Sequence, residues 1–235
     1  MKIEVFADAD AVAHAAAGII AAEARAAVAA CGKFSMAVSG GKTPWAMLRA
    51  LANEQVPWQG VHVFQVDERI APAGDPDRNL THLRASLLEN APLPPEQIYA
   101  MPVEDPDIEA AAGRYAATIE GIAGSPPVFD LIHLGLGPDG HTASLVPGDS
   151  VLGVTNVDVA LTGGLYQNRR RMTLTYRILN RARRILWVVT GAEKVPMLRR
   201  LDQGDSTIPG GRVRQDHGLV LADEAAAGGA ATAIS

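Results

Sequence analysis

Residues 129–148 read FDLIHLGLGPDGHTASLVPG, and this stretch decides the fold class. Its first six residues are mostly apolar, which is typical of a buried strand. The strand runs directly into a glycine-rich loop that carries an acid and an imidazole two residues apart, Asp139 and His141. In open α/β sheets, ligands bind in loops of this kind, which follow the carboxyl ends of the strands. The stretch therefore predicts both a parallel sheet and a site at its edge.

The same strand-then-loop pattern recurs along the chain, with helical segments between the strands. The predicted strands are 3–6, 34–38, 61–66, 98–101, 129–134, 172–175 and 185–189, with a short strand and a turn of helix in 218–227. The predicted helices are 10–31, 43–52, 79–89, 107–122 and 192–201. Alternation of this kind favours βαβ units, hence an α/β fold with a mainly parallel central sheet and helices on both faces. Because no linker composition or repeat divides the chain, we expect one domain over 1–235, with 148–170 as an inserted or mobile segment.

Four polar loops directly follow predicted strands: 39–43, 67–69, 135–141 and 190–194. The carboxyl ends of parallel strands share one edge of a sheet. We therefore expect these loops to meet at one site, although they lie up to about 150 residues apart.

The first of these loops, SGGKT, predicts an anion site. It consists of Ser39, Gly40, Gly41, Lys42 and Thr43. Paired glycines allow backbone N–H groups to approach an anion, and the following helix start, with Thr43 as N-cap and Pro44 in the first turn, adds partial positive charge. A nucleotide P-loop is excluded because its pattern requires glycine where Met36 stands.

The remaining candidates are charged side chains. Arg69, held by the neighbouring carboxylate of Asp67, is suited to a phosphate or a developing oxyanion. Arg171 and Lys194 are candidate phosphate cations, although charges in such loops are also often simply solvated. His141 can exchange a proton near neutral pH, and Asp139 can fix its tautomer.

Other chemistries lack support in the sequence. The six histidines form no H-x-H or H-E-x-x-H pattern, so we expect no metal and no cofactor. There is no G-x-S-x-G nucleophile motif, and the single cysteine, Cys31, ends an alanine-rich helix.

Composition and charge limit the classes of binding partner and the cellular location that we expect. The net charge is −5 and the pI is about 5.7, which disfavours non-specific nucleic-acid or anionic-membrane binding. No signal peptide or membrane-spanning run is apparent, and a lone cysteine fits a reducing compartment, so we expect a cytoplasmic protein. Gly and Pro number 23 and 15, an excess that favours many loops.

Several segments together resemble the 6-phosphogluconolactonase family of the pentose phosphate pathway. They occur in the expected order over nearly the whole chain: SGGKTP (39–44), DER (67–69), RNL (78–80), LGLGPDGHTASLVPG (134–148), RMTLT (171–175), VTGAEK (189–194) and LADEAAA (221–227). The resemblance implies a Rossmann-like fold shared with sugar-phosphate isomerases. Many members have Ser at position 42 and Trp near position 220, where this chain has Lys42 and Val220.

The resemblance implies metal-independent hydrolysis of 6-phospho-D-glucono-1,5-lactone to 6-phosphogluconate. His141 would activate water and then protonate the leaving ring oxygen, with Asp139 as its orienting group. Arg69, supported by Asp67, would serve the oxyanion or the phosphate. The other phosphate contacts would come from the amides of Gly40 and Gly41, the Thr43 hydroxyl, Arg171 and Lys194. We expect a small-molecule sugar-phosphate lactone as the partner and a monomer or weak homo-oligomer.

Two alternatives stay open at this point. Glucosamine-6-phosphate deaminases also carry a D-G-H loop, but they place a glutamate where Val146 stands and an aromatic residue where Arg69 stands. A non-catalytic sugar-phosphate sensor would normally carry a DNA-binding domain, yet a strand and one helix occupy the first 35 residues. A sensor also has no need of His141.

Overall fold

The fold is seen in a computed structural model that describes residues 1–229. Its strands are β1 (Lys2–Phe6), β2 (Phe34–Val38), β3 (Val61–Gln65), β4 (Asp67–Arg69), β5 (Ile98–Tyr99), β6 (Leu131–Leu134), β7 (Val159–Leu161), β8 (Arg171–Leu174), β9 (Arg184–Val189) and β10 (Gly218–Asp223). Its helices are α1 (Ala9–Cys31), α2 (Lys42–Ala52), α3 (Asn79–Leu83), α4 (Ile108–Ala123), α5 (Tyr176–Leu179), α6 (Val195–Asp202) and α7 (Glu224–Ala227). A π-helical turn, Arg84–Leu88, continues α3, and 3₁₀ turns at Ser150–Gly153 and Ala192–Lys194 precede β7 and α6.

Seven strands form a wholly parallel sheet in the order β1-β10-β9-β6-β2-β3-β5. The central strands β2 and β6 are buried at every position, as expected for a sheet covered on both faces. One apolar cluster joins α1, α2 and the α3 region to one face, and another joins α4 to α7 to the other. The predicted α/β class with a parallel, doubly covered sheet is confirmed.

Helix α1 shows how local sequence sets these layers. The Asp8 carboxylate accepts a hydrogen bond from the Ala11 N–H at 2.8 Å and caps the first turn, and Gly32 ends the helix at φ 77°. By length and composition alone, the helix is long and apolar enough to cross a membrane. Seven of its residues, including Val12 and Ile20, are buried against the sheet, which is how a core helix also behaves. Absence from membranes therefore stays a prediction.

A second, antiparallel sheet of three strands, in the order β4-β8-β7, lies beside the main one. One expectation was wrong here: 67–69 is a strand rather than a loop. The cause is the pairing of β4 with β8, in which Arg69 lies opposite Arg171 and Asp67 opposite Thr173. The segment 148–170, expected as an insertion or mobile loop, contributes β7 to this sheet.

The start of α2 also differs from expectation. The helix begins at Lys42, after Gly41 with φ 134°, and not behind a Thr43 cap. Thr43 therefore lies in the first turn, where its Oγ1 is 2.6 Å from Oγ1 of Thr190. This hydroxyl pair joins the loop after β2 to the loop after β9.

Candidate active site

One cavity of about 420 Å³ opens at the carboxyl edge of the parallel sheet. Ten of the eleven predicted site residues line it: Ser39, Gly40, Gly41, Lys42, Thr43, Asp67, Arg69, His141, Arg171 and Lys194. The eleventh, Asp139, contacts His141 from behind. The four segments that follow the strands thus meet at one site, three of them as loops and 67–69 as strand β4.

The Asp139–His141 pair forms the acid–base element of the site. Asp139 Oδ1 is 2.5 Å from His141 Nδ1 and also accepts the His141 backbone N–H at 3.1 Å. The hydrogen bond from His141 is the main cause that lowers the pKa of Asp139 to about 2, so this carboxylate is ionised at neutral pH. An ionised acceptor at Nδ1 favours the tautomer with its proton there, which leaves the lone pair of Nε2 for the cavity.

Glycines allow this loop to close tightly around the ring. A Cβ on Gly137 would lie 2.0 Å from His141 Nδ1, so only glycine fits beneath the imidazole. The Gly137 N–H donates to the His141 carbonyl at 2.8 Å, and Gly140 turns the chain at φ 81°. The D-G-H loop is therefore built to hold one ring position.

Asp67 is buried at 4% exposure, and all its partners belong to the site. Its Oδ2 accepts the Ser144 hydroxyl at 2.5 Å and lies 3.8 Å from Arg171 Nη1, and its Oδ1 accepts Asn79 Nδ2 at 3.2 Å. The expectation that Asp67 supports Arg69 was wrong. Arg69 is two residues along the same strand, whereas Arg171, diagonally across on β8, reaches the carboxylate.

The two arginines are held differently. Arg171 is buried; its Nη2 donates to Gln167 Oε1 at 3.0 Å, and its guanidinium lies 5.0 Å from the centre of the Tyr166 ring. Burial lowers the pKa of Arg171, and Asp67 opposes that effect. Arg69 donates from Nη1 to the Asp77 carbonyl at 2.5 Å. The Nε of Arg69 and that of Arg171 are buried without a protein partner among the described residues.

The glycine loop after β2 is fixed from below by β6. The Ser39 N–H donates to His133 Nδ1 at 3.2 Å, and Ser39 Oγ donates to the His133 carbonyl at 3.1 Å. The serine hydroxyl thus supports the loop. A Cβ on Gly40 would lie 2.0 Å from Asn79 Oδ1, so this glycine permits the approach of α3.

Opposite this loop, Gly191 turns at φ 99°, and its N–H donates to the Asp223 carboxylate at 3.0 Å. Lys194 follows on the same turn, largely buried, with Glu193 3.8 Å away. Four cationic and two acidic side chains line the cavity, so its lining is positive although the whole chain is acidic. No cluster of three or more metal-ligating side chains occurs within residues 1–229.

Sequence reasoning missed Asn79, Ser144, Tyr166 and Thr190. Ser144 lies inside the quoted 134–148 segment and Thr190 beside Lys194, so both stood next to recognised residues. Asn79 follows Arg78 at the start of α3, where its N–H donates to the buried carboxylate of Glu68 at 2.8 Å. Tyr166 comes from the segment that had no assigned structure.

Comparisons with known proteins place the chain in a family. The profile of the family described as glucosamine-6-phosphate isomerases/6-phosphogluconolactonase matches residues 7–222. The chain belongs to this family. The 6-phosphogluconolactonase of Synechocystis sp. is 40% identical over 172 residues, which cover 72% of this chain and 71% of the relative. The one from Mycobacterium tuberculosis is 36% identical over 203 residues and covers 82% of each.

Solved structures agree with this placement. The crystal structure of 6-phosphogluconolactonase from Thermotoga maritima superposes with a TM-score of 0.84 at 27% identity, covering 94% of this chain and 98% of that one. A monomeric glucosamine-6-phosphate deaminase has the same TM-score at 19% identity, over 98% and 100% of the two chains, which shows the shared fold alone. The family expected from the sequence motifs is confirmed.

Proposed function

We propose that the protein is a 6-phosphogluconolactonase, which hydrolyses 6-phospho-D-glucono-1,5-lactone to 6-phosphogluconate in the oxidative pentose phosphate pathway. The observation that carries this is the Asp139–His141 pair, set in a cavity with an excess of cationic side chains. The substrate joins a phosphate dianion to an activated ester carbonyl. Its hydrolysis needs a general base and anion stabilisation, both of which the cavity supplies.

His141 acts as the base. Asp139 holds the Nδ1 proton, so Nε2 takes a proton from water as the water attacks the lactone carbonyl. The imidazolium then returns that proton to the ring oxygen as the C–O bond breaks. Asp139 stays ionised while the positive charge forms on the ring, which stabilises that charge.

The phosphate lies between the loop after β2 and the loop after β9. The amides of Gly40 and Gly41 stand at the start of α2, which favours an anion, and the Thr43–Thr190 hydroxyl pair joins this point to the turn that carries Lys194. Lys42 lines the same mouth from an exposed position. Hydrogen bonds to charged groups contribute about 1.5–3 kcal/mol each, so a few anchor the substrate.

Arg171 and Arg69 serve the lactone carbonyl in this proposal. Ser144 links Arg171 to the D-G-H loop, since Arg171 Nη1 is 3.4 Å from Ser144 Oγ. That contact supports a role for the arginine pair near His141, so in this proposal Arg171 serves the developing oxyanion and not the phosphate. Substitution of either arginine should then lower kcat more than it raises KM.

A coupled assay with freshly generated lactone and correction for its spontaneous hydrolysis tests the function. His141→Ala should lose on the order of 10²–10⁴ in kcat. His217→Ala is the matched control, because this exposed histidine precedes β10 at the opposite edge of the sheet. Full turnover by His141→Ala would refute the role of His141.

The same protein distinguishes the alternatives. Release of ammonia from glucosamine 6-phosphate would support a deaminase. This chain lacks the glutamate of the deaminases, because Val146 stands at that position. Tight binding of 6-phosphogluconate without lactone turnover would support a sensor. A monomeric or weakly associated state and a cytoplasmic location, without nucleic-acid or membrane partners, remain part of the proposal.

A further inference from the structure

Tyr166 stands between the two halves of the catalytic machinery without lining the cavity. Its hydroxyl is 3.4 Å from Asp139 Oδ2 and 3.4 Å from His141 Nδ1. Its ring packs edge-on against the His141 ring, with centroids 5.1 Å apart, and its other contact is the guanidinium of Arg171. One side chain thus touches the base, the orienting acid and the buried cation.

A tight turn fixes this position. The N–H of Tyr166 donates to the Arg169 carbonyl at 3.0 Å, and the two residues between them have positive φ, 52° at Gln167 and 61° at Asn168. Arg169 then pairs with Asp75 at 3.0 Å and Asp77 at 3.1 Å in the loop beyond β4. The turn is therefore anchored at the ring and at its far end.

The hydrogen-bond roles follow from the charges. Asp139 is ionised and already accepts the Nδ1 proton on Oδ1, so Nδ1 cannot accept a second proton and the phenol donates to Oδ2. Burial and the Asp139 charge raise the pKa of Tyr166, which keeps this donor protonated. At 3.4 Å the bond is long for O–H···O, and catalytic hydrogen bonds in unliganded sites often tighten when substrate binds.

We propose that Tyr166 is a positioning residue: its hydroxyl orients Asp139 behind His141, and its ring holds Arg171 against the site. The inference rests on the proposed lactonase function. Substitution distinguishes the function of the hydroxyl from that of the ring, because phenylalanine keeps the ring and removes only the hydrogen-bond donor.

Tyr166→Phe should lower kcat about 3- to 10-fold and leave KM near the wild-type value. Without its second donor, Asp139 holds the protonated imidazole more strongly, so the acid limb of the kcat/KM profile should move to higher pH. Tyr166→Leu also removes the ring beside Arg171, which serves the oxyanion, and should lower kcat about 2- to 5-fold below that of Tyr166→Phe. It should weaken 6-phosphogluconate binding, measured by calorimetry, relative to Tyr166→Phe.

Tyr99→Phe is the matched control. Its hydroxyl also contacts a histidine, His62 Nδ1 at 3.1 Å, but it lies on the edge strand β5 outside the cavity, so its kinetics should match wild type. Thermal unfolding of each variant checks that the fold is intact. If Tyr166→Phe matches Tyr99→Phe in kcat and in pH profile, the inference is wrong while the function stands. If wild type shows no lactone turnover above background, the proposed function and the inference that rests on it both fail.

Discussion

His133 gives the fold an acid sensitivity that can be calculated. It lies in the centre of the sheet on β6 with no exposed surface, and its Nδ1 accepts the Ser39 N–H. Burial lowers the pKa of His133 to about 3, so the ring is neutral in the folded protein. In the unfolded chain a histidine has a pKa of about 6.5. Below that pH the unfolded state binds a proton that the folded state does not, so acid favours unfolding.

The size of this effect follows from the two pKa values. Above about pH 6.5 His133 is neutral in both the folded and the unfolded state, so its contribution to the free energy of unfolding does not change with pH. Between about pH 6.5 and pH 3 the free energy of unfolding falls by about 1.4 kcal/mol per pH unit. From pH 7.5 to pH 5.0 the loss due to His133 is therefore about 2 kcal/mol. His133→Asn should abolish this part of the loss, since its amide oxygen can replace Nδ1 as acceptor and does not titrate.

Urea unfolding of wild type and variant at both pH values measures the effect. His133→Leu should also lose the acid sensitivity, but with a cost of about 1–3 kcal/mol at every pH because the Ser39 N–H is left without an acceptor. Replacement of the exposed His14 by Asn is the control and should keep the wild-type pH dependence. If His133→Asn loses as much free energy between pH 7.5 and 5.0 as wild type, burial does not hold this ring neutral and the reasoning is wrong.

Two further predictions concern glycines. Gly137→Ala should lower kcat by a factor on the order of 10², because the added methyl would lie 2.0 Å from His141 Nδ1 and must displace the ring. Gly135→Ala is the control and should lose far less kcat, because its methyl group would meet nothing within 4 Å. Equal losses of kcat in the two variants would argue against a tightly packed His141 ring. Gly113→Ala on α4 also meets nothing within 4 Å and should raise the free energy of unfolding in urea by about 0.5–1 kcal/mol with unchanged kinetics. A lower free energy of unfolding for Gly113→Ala would contradict the open space around this position on α4.

The sequence was sufficient to predict which loops meet, because the topology of a parallel sheet decides that. Once β2, β6 and β9 are parallel neighbours in one sheet, the loops that follow them share an edge whatever their sequence separation. Apolar runs bounded by glycine-rich loops are enough to find such strands. The resemblance of the 134–148 segment to a known family then indicated the reaction, and the comparison with known proteins confirms that family.

The antiparallel sheet could not be predicted in the same way. Strands β4 and β7 have three residues each, too few to show the alternation that marks a half-buried strand. The partner of Asp67 depends on this cross-strand register, so Arg69 was assigned to it in place of Arg171. Tyr166 depends on the same sheet and on a turn whose only local signal is Asn168, a residue type that tolerates positive φ.

The buried carboxylate of Asp67 explains how two arginines can share a site built for an anion. Arg69 and Arg171 lie opposite each other across β4 and β8, and burial together with the charge of Arg69 lowers the pKa of Arg171. Asp67 opposes this for Arg171 from 3.8 Å, and its own carboxylate lines the cavity while it accepts hydrogen bonds from Ser144 and Asn79. The acid thus holds Arg171 in place, while Arg69 is held by the Asp77 carbonyl. A net charge of −5 is compatible with a phosphate dianion because the charges that matter are fixed within one cavity, not averaged over the chain.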